Sequence, residues 1–273
     1  MTSLRPMTAG LSLLRRQVEA IPSALLGYSG GVDSALLAVV LRQELGRERL
    51  LAAIGRSASY SAVQAGEART LAAQFDVRVI EVQTNELDDP RYLANPTNRC
   101  FYCKTELWVR LGAVARERGF AVVCDGTNAD DLREHRPSHA AGVAAGVRSP
   151  LAEAGLTKAD VRAAARALGL PTWDAPAAPC LSSRVQYGLR ITPRRLEQVE
   201  KGEALLRRLG VRGDLRLRHH GERARIEVES EWIAWLESRI QEVSAQLRPL
   251  GFGTVEIDPR GYRRGSLLDR ARP

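Results

Sequence analysis

Two of the four cysteines stand two residues apart in NRCFYCK, residues 98–104. A Cys-x-x-Cys pair of this kind serves as half of a zinc site, as a redox dithiol, as a disulfide or as part of an iron–sulfur cluster. Cys100 and Cys103 fall where the long stretch Asp88–Arg99 leads into a helix, a position that activates thiols through the helix dipole. Cys180 lies far along the chain in PCLSSR, and Cys124 lies inside the apolar run AVVCDG, where a thiol reads as buried and structural. Zinc asks for four protein ligands, or three and a water. None of His135, His139, His219 and His220 has ligand-like spacing to the pair. Three thiolates without a fourth, Cys100, Cys103 and Cys180, suit a [4Fe–4S] cluster with one iron left open, able to hold an extra sulfide.

A second constellation is SGGVDS, Ser29–Ser34, set between an apolar run and a helical pattern. Gly30 and Gly31 let the backbone approach an anion, the following helix offers N–H groups and its positive dipole end, and Ser29 and Ser34 add hydroxyls. The expected ligand is a pyrophosphate group. No Gly-Lys-Ser/Thr closes the loop, so a Walker-type γ-phosphate site is excluded. Asp33 reads either as a Mg²⁺ ligand or as a helix-capping carboxylate. Asp125, Asn128, Asp130 and Asp131 form a polar cluster after another apolar run, placed for Mg²⁺ or nucleotide contacts, with Asn128 or Asp130 also readable as an N-cap.

Elements that could position these residues alternate through the first two-thirds of the chain. Apolar runs at Ala24–Tyr28, Leu50–Arg56, Val77–Val82 and Ala121–Asp125 read as strands; Ser34–Leu45, Ala62–Phe75, Tyr102–Arg118 and Lys158–Leu168 read as helices. The fold class expected is α/β, a doubly wound parallel sheet with ligands at the carboxyl ends of its strands. Four prolines in PTWDAPAAPC, residues 171–180, mark an ordered connector. Beyond it a helix near Pro193–Leu209, a hairpin in LRLRHHGERARIEVE, a helix Trp232–Leu247 and a strand Thr254–Asp258 imply a smaller C-terminal α+β domain. The boundary is placed so that residues 1–185 form the first domain and 186–273 the second, with a flexible Arg-rich tail after Gly261.

Composition narrows the partners. At 273 residues, 44% hydrophobic and 26% charged, the chain is that of an ordinary globular protein, and its longest apolar runs fall short of a membrane span. The default compartment is the cytoplasm, where four cysteines argue for metal binding or catalysis over a disulfide framework. A formal charge of +8 would suit a polyanion, yet the positive charge is nearly all arginine, lysine occurring only at Lys104, Lys158 and Lys201, and no basic block stands out. Nucleic acid is therefore not the expected partner.

SGGVDS resembles the PP-loop of the ATP pyrophosphatases, the adenine nucleotide alpha hydrolase-like enzymes that cleave ATP between the α and β phosphates, and the likeness covers roughly residues 20–175. That resemblance implies ATP and Mg²⁺, with adenine near Ile54–Tyr60. CDGTNADDLREHRP, RSPL, PCLSSRVQYG and LRLRHHGERARIEVE extend it: nearly the whole chain resembles the LarE family, ATP-dependent sulfur transferases of nickel-pincer nucleotide biosynthesis serving lactate racemase. The family implies a small-molecule nucleotide substrate, pyridinium-3,5-biscarboxylic acid mononucleotide, whose carboxylates are adenylated and converted to thiocarboxylates. It has two forms: one gives up the sulfur of a single cysteine, matched by Cys180, and the other holds a [4Fe–4S] cluster on that cysteine and a pair matched by Cys100 and Cys103. Three cysteines here favour the cluster form. By the same resemblance Lys104 sits beside the reaction centre, Ser183 and Arg184 follow the sulfur-carrying cysteine, Arg216 and Arg218 bind the substrate phosphate from one face of a strand, and Glu203 and Glu227 are acidic site positions. A homo-oligomer is implied as well; the sulfide donor is not. Rival readings are a tRNA thiolase, an amide-forming synthetase of the same superfamily, and a nucleotide sensor without turnover.

Overall fold

A computed structural model describes residues 7–133, 137–176, 179–263 and 265–267. In chain order its elements are α1 (Met7–Glu19), β1 (Ala24–Gly27), α2 (Val32–Leu45), β2 (Leu50–Arg56), α3 (Ala62–Gln74), β3 (Val79–Gln83), α4 (Pro90–Leu93), α5 (Arg99–Arg118), β4 (Val122–Cys124), α6 (Ala129–Arg133), α7 (Pro137–Ala144), α8 (Pro150–Glu153), α9 (Lys158–Ala167), α10 (Pro193–Arg208), β5 (Leu215–His220), β6 (Arg223–Val228), α11 (Ser230–Glu237), α12 (Ile240–Leu247) and β7 (Thr254–Ile257). Among these described residues, those up to Glu86 and those from Cys100 to 176 form one compact unit; Leu87–Arg99 and those from Pro179 onward form another.

The first unit is built on a four-stranded parallel sheet in the order β3-β2-β1-β4. Alternation along each strand sends side chains to opposite faces. Leu26, Ala52 and Ile54 join the core formed with Leu14, Leu36, Leu37 and Val161 of α1, α2 and α9, while Leu25, Leu51 and Ala53 join Trp108, Leu111 and Ala141 of α5 and α7. Helices on both faces make the expected doubly wound sheet. α2 is buried on nearly every side, which is why its sequence is apolar without a helical stripe. Strand order reverses at β1, where the chain goes to β2 on one side and β4 joins on the other. The crevice outside the carboxyl ends of β1 and β4 is the place such sheets reserve for ligands.

The second unit carries a three-stranded mixed sheet, β5-β6-β7, with β5 and β6 paired as an antiparallel hairpin and β7 parallel to β6. Leu215, Leu217, Ile226 and Val228 are buried in it. The single helix expected over Trp232–Leu247 is instead two, α11 and α12. The break falls at Ser238, whose hydroxyl donates back to the Trp235 carbonyl at 2.8 Å, competing with the helical ladder. Asp88–Arg99 is not a simple entry loop either. Asp89 caps α4, and Asn95, fully buried with φ +54°, donates its amide to the carbonyls of Val185 (3.3 Å), Gln186 (2.8 Å) and Leu189 (3.1 Å). Of the Arg-rich tail, residues 264 and 268–273 lie outside the described residues, as does His135.

Candidate functional site

Ser29–Ser34 closes on itself as a loop leading from β1 into α2. Ser34 Oγ accepts from the Ser29 N–H at 3.2 Å and donates to the Gly31 carbonyl at 3.1 Å. Gly30 has φ +73°, and a Cβ there would come within 2.6 Å of the Ala68 Cβ, so both conformation and space demand glycine. The first-turn amides of α2 point at the loop without intrahelical partners, with the helix dipole behind them. Tyr60 adds a strut from the turn after β2: its hydroxyl donates to the Ser29 carbonyl at 2.9 Å.

Asp33, in the first turn of α2, is partly buried and held from two sides. Asn128 Nδ2 donates to its Oδ1 at 3.0 Å, and the ammonium of Lys158 pairs with its Oδ2. Asn128 belongs to the segment after β4 and also caps α6, accepting from the N–H groups of Asp130 (3.0 Å) and Asp131 (3.2 Å). Lys158 opens α9, where the Thr157 and Asp160 capping box fixes it. Sequence reading overlooked Lys158; the signal was a lysine kept in a chain that otherwise uses arginine. The segment after β4 comes close to α2 because Gly126 lacks a side chain: a Cβ would lie 2.8 Å from Ser34 N. Asp125 of the same segment turns inward, accepting from Thr127 N–H (3.0 Å) and Ser149 Oγ (2.7 Å), so its carboxylate braces the turn. An anion at this loop meets free amides, two hydroxyls and an ammonium; a hard cation meets the Asp33 carboxylate. That oxygen donor chemistry fits Mg²⁺.

Also in the first unit, Cys100 and Cys103 occupy the start of α5, the former exposed and the latter partly buried. Lys104 follows them, its ammonium 5.0 Å from the centre of the Trp108 ring. Cys124 is fully buried in β4, and burial pushes its thiol up to about 12, which suits a structural group and not a ligand.

In the second unit Cys180 caps a short 3₁₀ turn, Leu181–Arg184. Its carbonyl accepts from Ser183 Oγ at 2.7 Å and Arg184 Nη1 at 3.0 Å. Arg184 is also bidentate to Glu203, at 3.0 and 3.2 Å, and Glu203 accepts the Leu217 N–H of β5 at 3.0 Å. Arg216 and Arg218 alternate on β5 as expected, both buried. Arg218 is engaged by Glu227 (2.9 Å), the Ser183 carbonyl (3.0 Å) and Ser266 Oγ (2.9 Å); Arg216 donates to the Leu215 carbonyl at 2.6 Å, lies 4.0 Å from the Asp214 carboxylate and stacks over the Tyr262 ring at 5.0 Å. Burial, and then the nearby Arg184, lower the pKa of Arg216. Tyr262 and Ser266 are site neighbours that no motif announced.

All four cysteines are thiols, and among the described residues no three His, Cys, Asp or Glu side chains form a ready metal site. Cys100 and Cys103 belong to the first unit and Cys180 to the second. Three thiols outside the cores are nevertheless the soft donors that an iron–sulfur cluster takes.

Comparison with known proteins adds the following. Residues 9–105 match the NAD synthase family model. The chain is 41% identical to an uncharacterised protein of Synechocystis sp., covering 94% of this chain and 96% of the relative. It is 34% identical to the pyridinium-3,5-bisthiocarboxylic acid mononucleotide synthase of Lactiplantibacillus plantarum, over 89% of this chain and 88% of that enzyme. An uncharacterised protein of Methanocaldococcus jannaschii is 27% identical over 88% of this chain and 90% of its own length.

Proposed function

Given that this chain belongs to the family of the Lactiplantibacillus plantarum pyridinium-3,5-bisthiocarboxylic acid mononucleotide synthase, we propose that it is an ATP-dependent sulfur transferase of nickel-pincer nucleotide biosynthesis. Its substrate would be pyridinium-3,5-biscarboxylic acid mononucleotide and its product the thiocarboxylate. The observation that carries the reading is the Ser29–Ser34 loop with Lys158 held on Asp33: an anion cradle and a cation-binding carboxylate side by side at the switch point of the sheet.

In this mechanism the phosphates of ATP lie on the N-terminus of α2, between the hydroxyls of Ser29 and Ser34, and Lys158 supplies positive charge to them. Asp33, steadied by Asn128, would hold Mg²⁺, which offsets charge on the departing pyrophosphate. A carboxylate oxygen of the substrate attacks the α-phosphorus, the bond to the bridging oxygen breaks, and pyrophosphate leaves with the electron pair. The acyl adenylate is then open to a sulfur nucleophile, and AMP departs. Cys100, Cys103 and Cys180 would hold a [4Fe–4S] cluster that supplies the sulfide; their exclusion from the cores, in contrast to Cys124, supports that assignment. Arg216 and Arg218, which share one face of β5, would bind the substrate phosphate. The domain from residue 186 onward would bind the substrate and assemble a homo-oligomer.

A Cys100→Ser, Cys103→Ser, Cys180→Ser variant tests the sulfur step. It should still release pyrophosphate in the presence of the mononucleotide but form no thiocarboxylate. An amide formed equally by the variant and the wild type, with no thiocarboxylate from either, would instead support an amide-forming synthetase, as the NAD synthase match would suggest. Loss in Cys180→Ser alone, with iron absent from active wild-type protein, would point to Cys180 giving up its own sulfur.

A further inference from the structure

Glu86 ends the first of the two segments that make up the first unit, shortly after β3, and is only 2% exposed. Its hydrogen-bond partners among the described residues are two hydroxyls, Ser57 Oγ at 2.5 Å and Ser59 Oγ at 2.8 Å, both on Oε1. Oε2 is equally buried and has no partner there. A carboxylate kept in this state costs stability, so its presence points to a task.

The two serines belong to the turn after β2, which is pinned further. Their hydroxyls lie 2.8 Å apart, and Ser57 Oγ accepts from the Ser59 N–H at 3.1 Å. The next residue is Tyr60, donor to the Ser29 carbonyl. Burial pushes this phenol up to about 12, so it remains a donor at every pH the protein meets. The Ser29 carbonyl and the Gly30 N–H share one trans peptide plane and point in opposite directions. Fixing the carbonyl therefore aims the N–H, which bonds no acceptor among the described residues, away from Tyr60.

We infer that Glu86 and Tyr60 are positioning residues for the phosphate loop: Glu86 fixes the Ser57–Tyr60 turn from beneath, and Tyr60 sets the peptide that presents the Gly30 amide. The inference rests on the reading of Ser29–Ser34 as an ATP site. It also separates two roles for the turn after β2, since a strut acts on phosphates and a base contact acts on adenine.

Titration calorimetry of the full chain with Mg²⁺-ATP and, separately, with magnesium pyrophosphate tests it. Tyr60→Phe removes one hydroxyl and keeps the ring; losing one hydrogen bond corresponds to about three- to tenfold weaker binding. The expected result is an equal loss for ATP and pyrophosphate. Glu86→Ala should act in the same direction, and Glu86→Gln, which keeps an acceptor oxygen for the serines, should recover part of the loss. A folded Tyr60→Phe with wild-type affinity for both ligands, or a loss confined to ATP, would overturn the strut alone. Wild-type protein that binds neither ligand would overturn the nucleotide site and the strut with it.

Discussion

Gly126→Ala is the sharpest perturbation of the nucleotide site, because it adds one methyl group where two backbones meet. The new Cβ would sit 2.8 Å from Ser34 N and 3.0 Å from Ser34 Cα. Ordinary contact begins near 3.4 Å, so the segment after β4 must retreat from α2 by about 0.6 Å. No rotamer can absorb the overlap, since both contacts are main chain. Overpacking of this kind costs about 1–3 kcal/mol. The retreat carries Asn128 with it, stretching its 3.0 Å bond to Asp33 past the hydrogen-bonding range and forfeiting about 1 kcal/mol more. Urea denaturation should show the first loss as a lower midpoint with an unchanged slope. Calorimetry with Mg²⁺-ATP should show the second as roughly five- to tenfold weaker binding. A Gly126→Ala protein with wild-type midpoint and wild-type ATP affinity would refute the close approach and the role given to Asn128.

Other consequences follow from single residues. Lys158→Met removes the ammonium beside Asp33, and loss of a charged contact of about 1.5–3 kcal/mol should slow mononucleotide-dependent pyrophosphate release roughly 10- to 100-fold; an unchanged rate would remove Lys158 from the mechanism. Mass mapping after iodoacetamide treatment of folded, metal-free protein at pH 8 should find Cys100, Cys103 and Cys180 modified and Cys124 protected until denaturant is added. His219 is 2% exposed, and burial lowers it to about 4 from an ordinary 6.5. The unfolded chain therefore binds the proton first as pH falls. Stability supported by the neutral ring is complete above pH 6.5 and declines by up to roughly 3 kcal/mol toward pH 4. Urea titrations of His219→Gln should show a flatter decline over that window; an identical slope would contradict the assignment.

The strands were legible because each is a short apolar run between turn residues, and the phosphate loop because SGGVDS joins a strand to a helix. What escaped the sequence was contact between distant segments. Lys158 lies 125 residues from Asp33, and nothing in TKADVR names a partner for it. Arg216 and Arg218 look equivalent in LRLRH, yet Glu227 and Ser266 claim one and the Tyr262 ring faces the other. Asp88–Arg99 reads as a loop because its order comes from residues far along the chain: Tyr92 bonds Ser182 at 2.6 Å and Asn95 bonds the Gln186 carbonyl at 2.8 Å. The break at Ser238 was missed because apolar periodicity continues through it while a side-chain bond ends the helix.

Mass spectrometry of the product decides the central claim most directly. Anaerobically purified protein, reconstituted with iron and sulfide, is incubated with Mg²⁺-ATP and pyridinium-3,5-biscarboxylic acid mononucleotide. The expected product is heavier by one oxygen-to-sulfur exchange, about 16 mass units, with AMP and pyrophosphate formed in step with it. ADP and phosphate as the nucleotide products, or an amide in place of the thiocarboxylate, would contradict that claim.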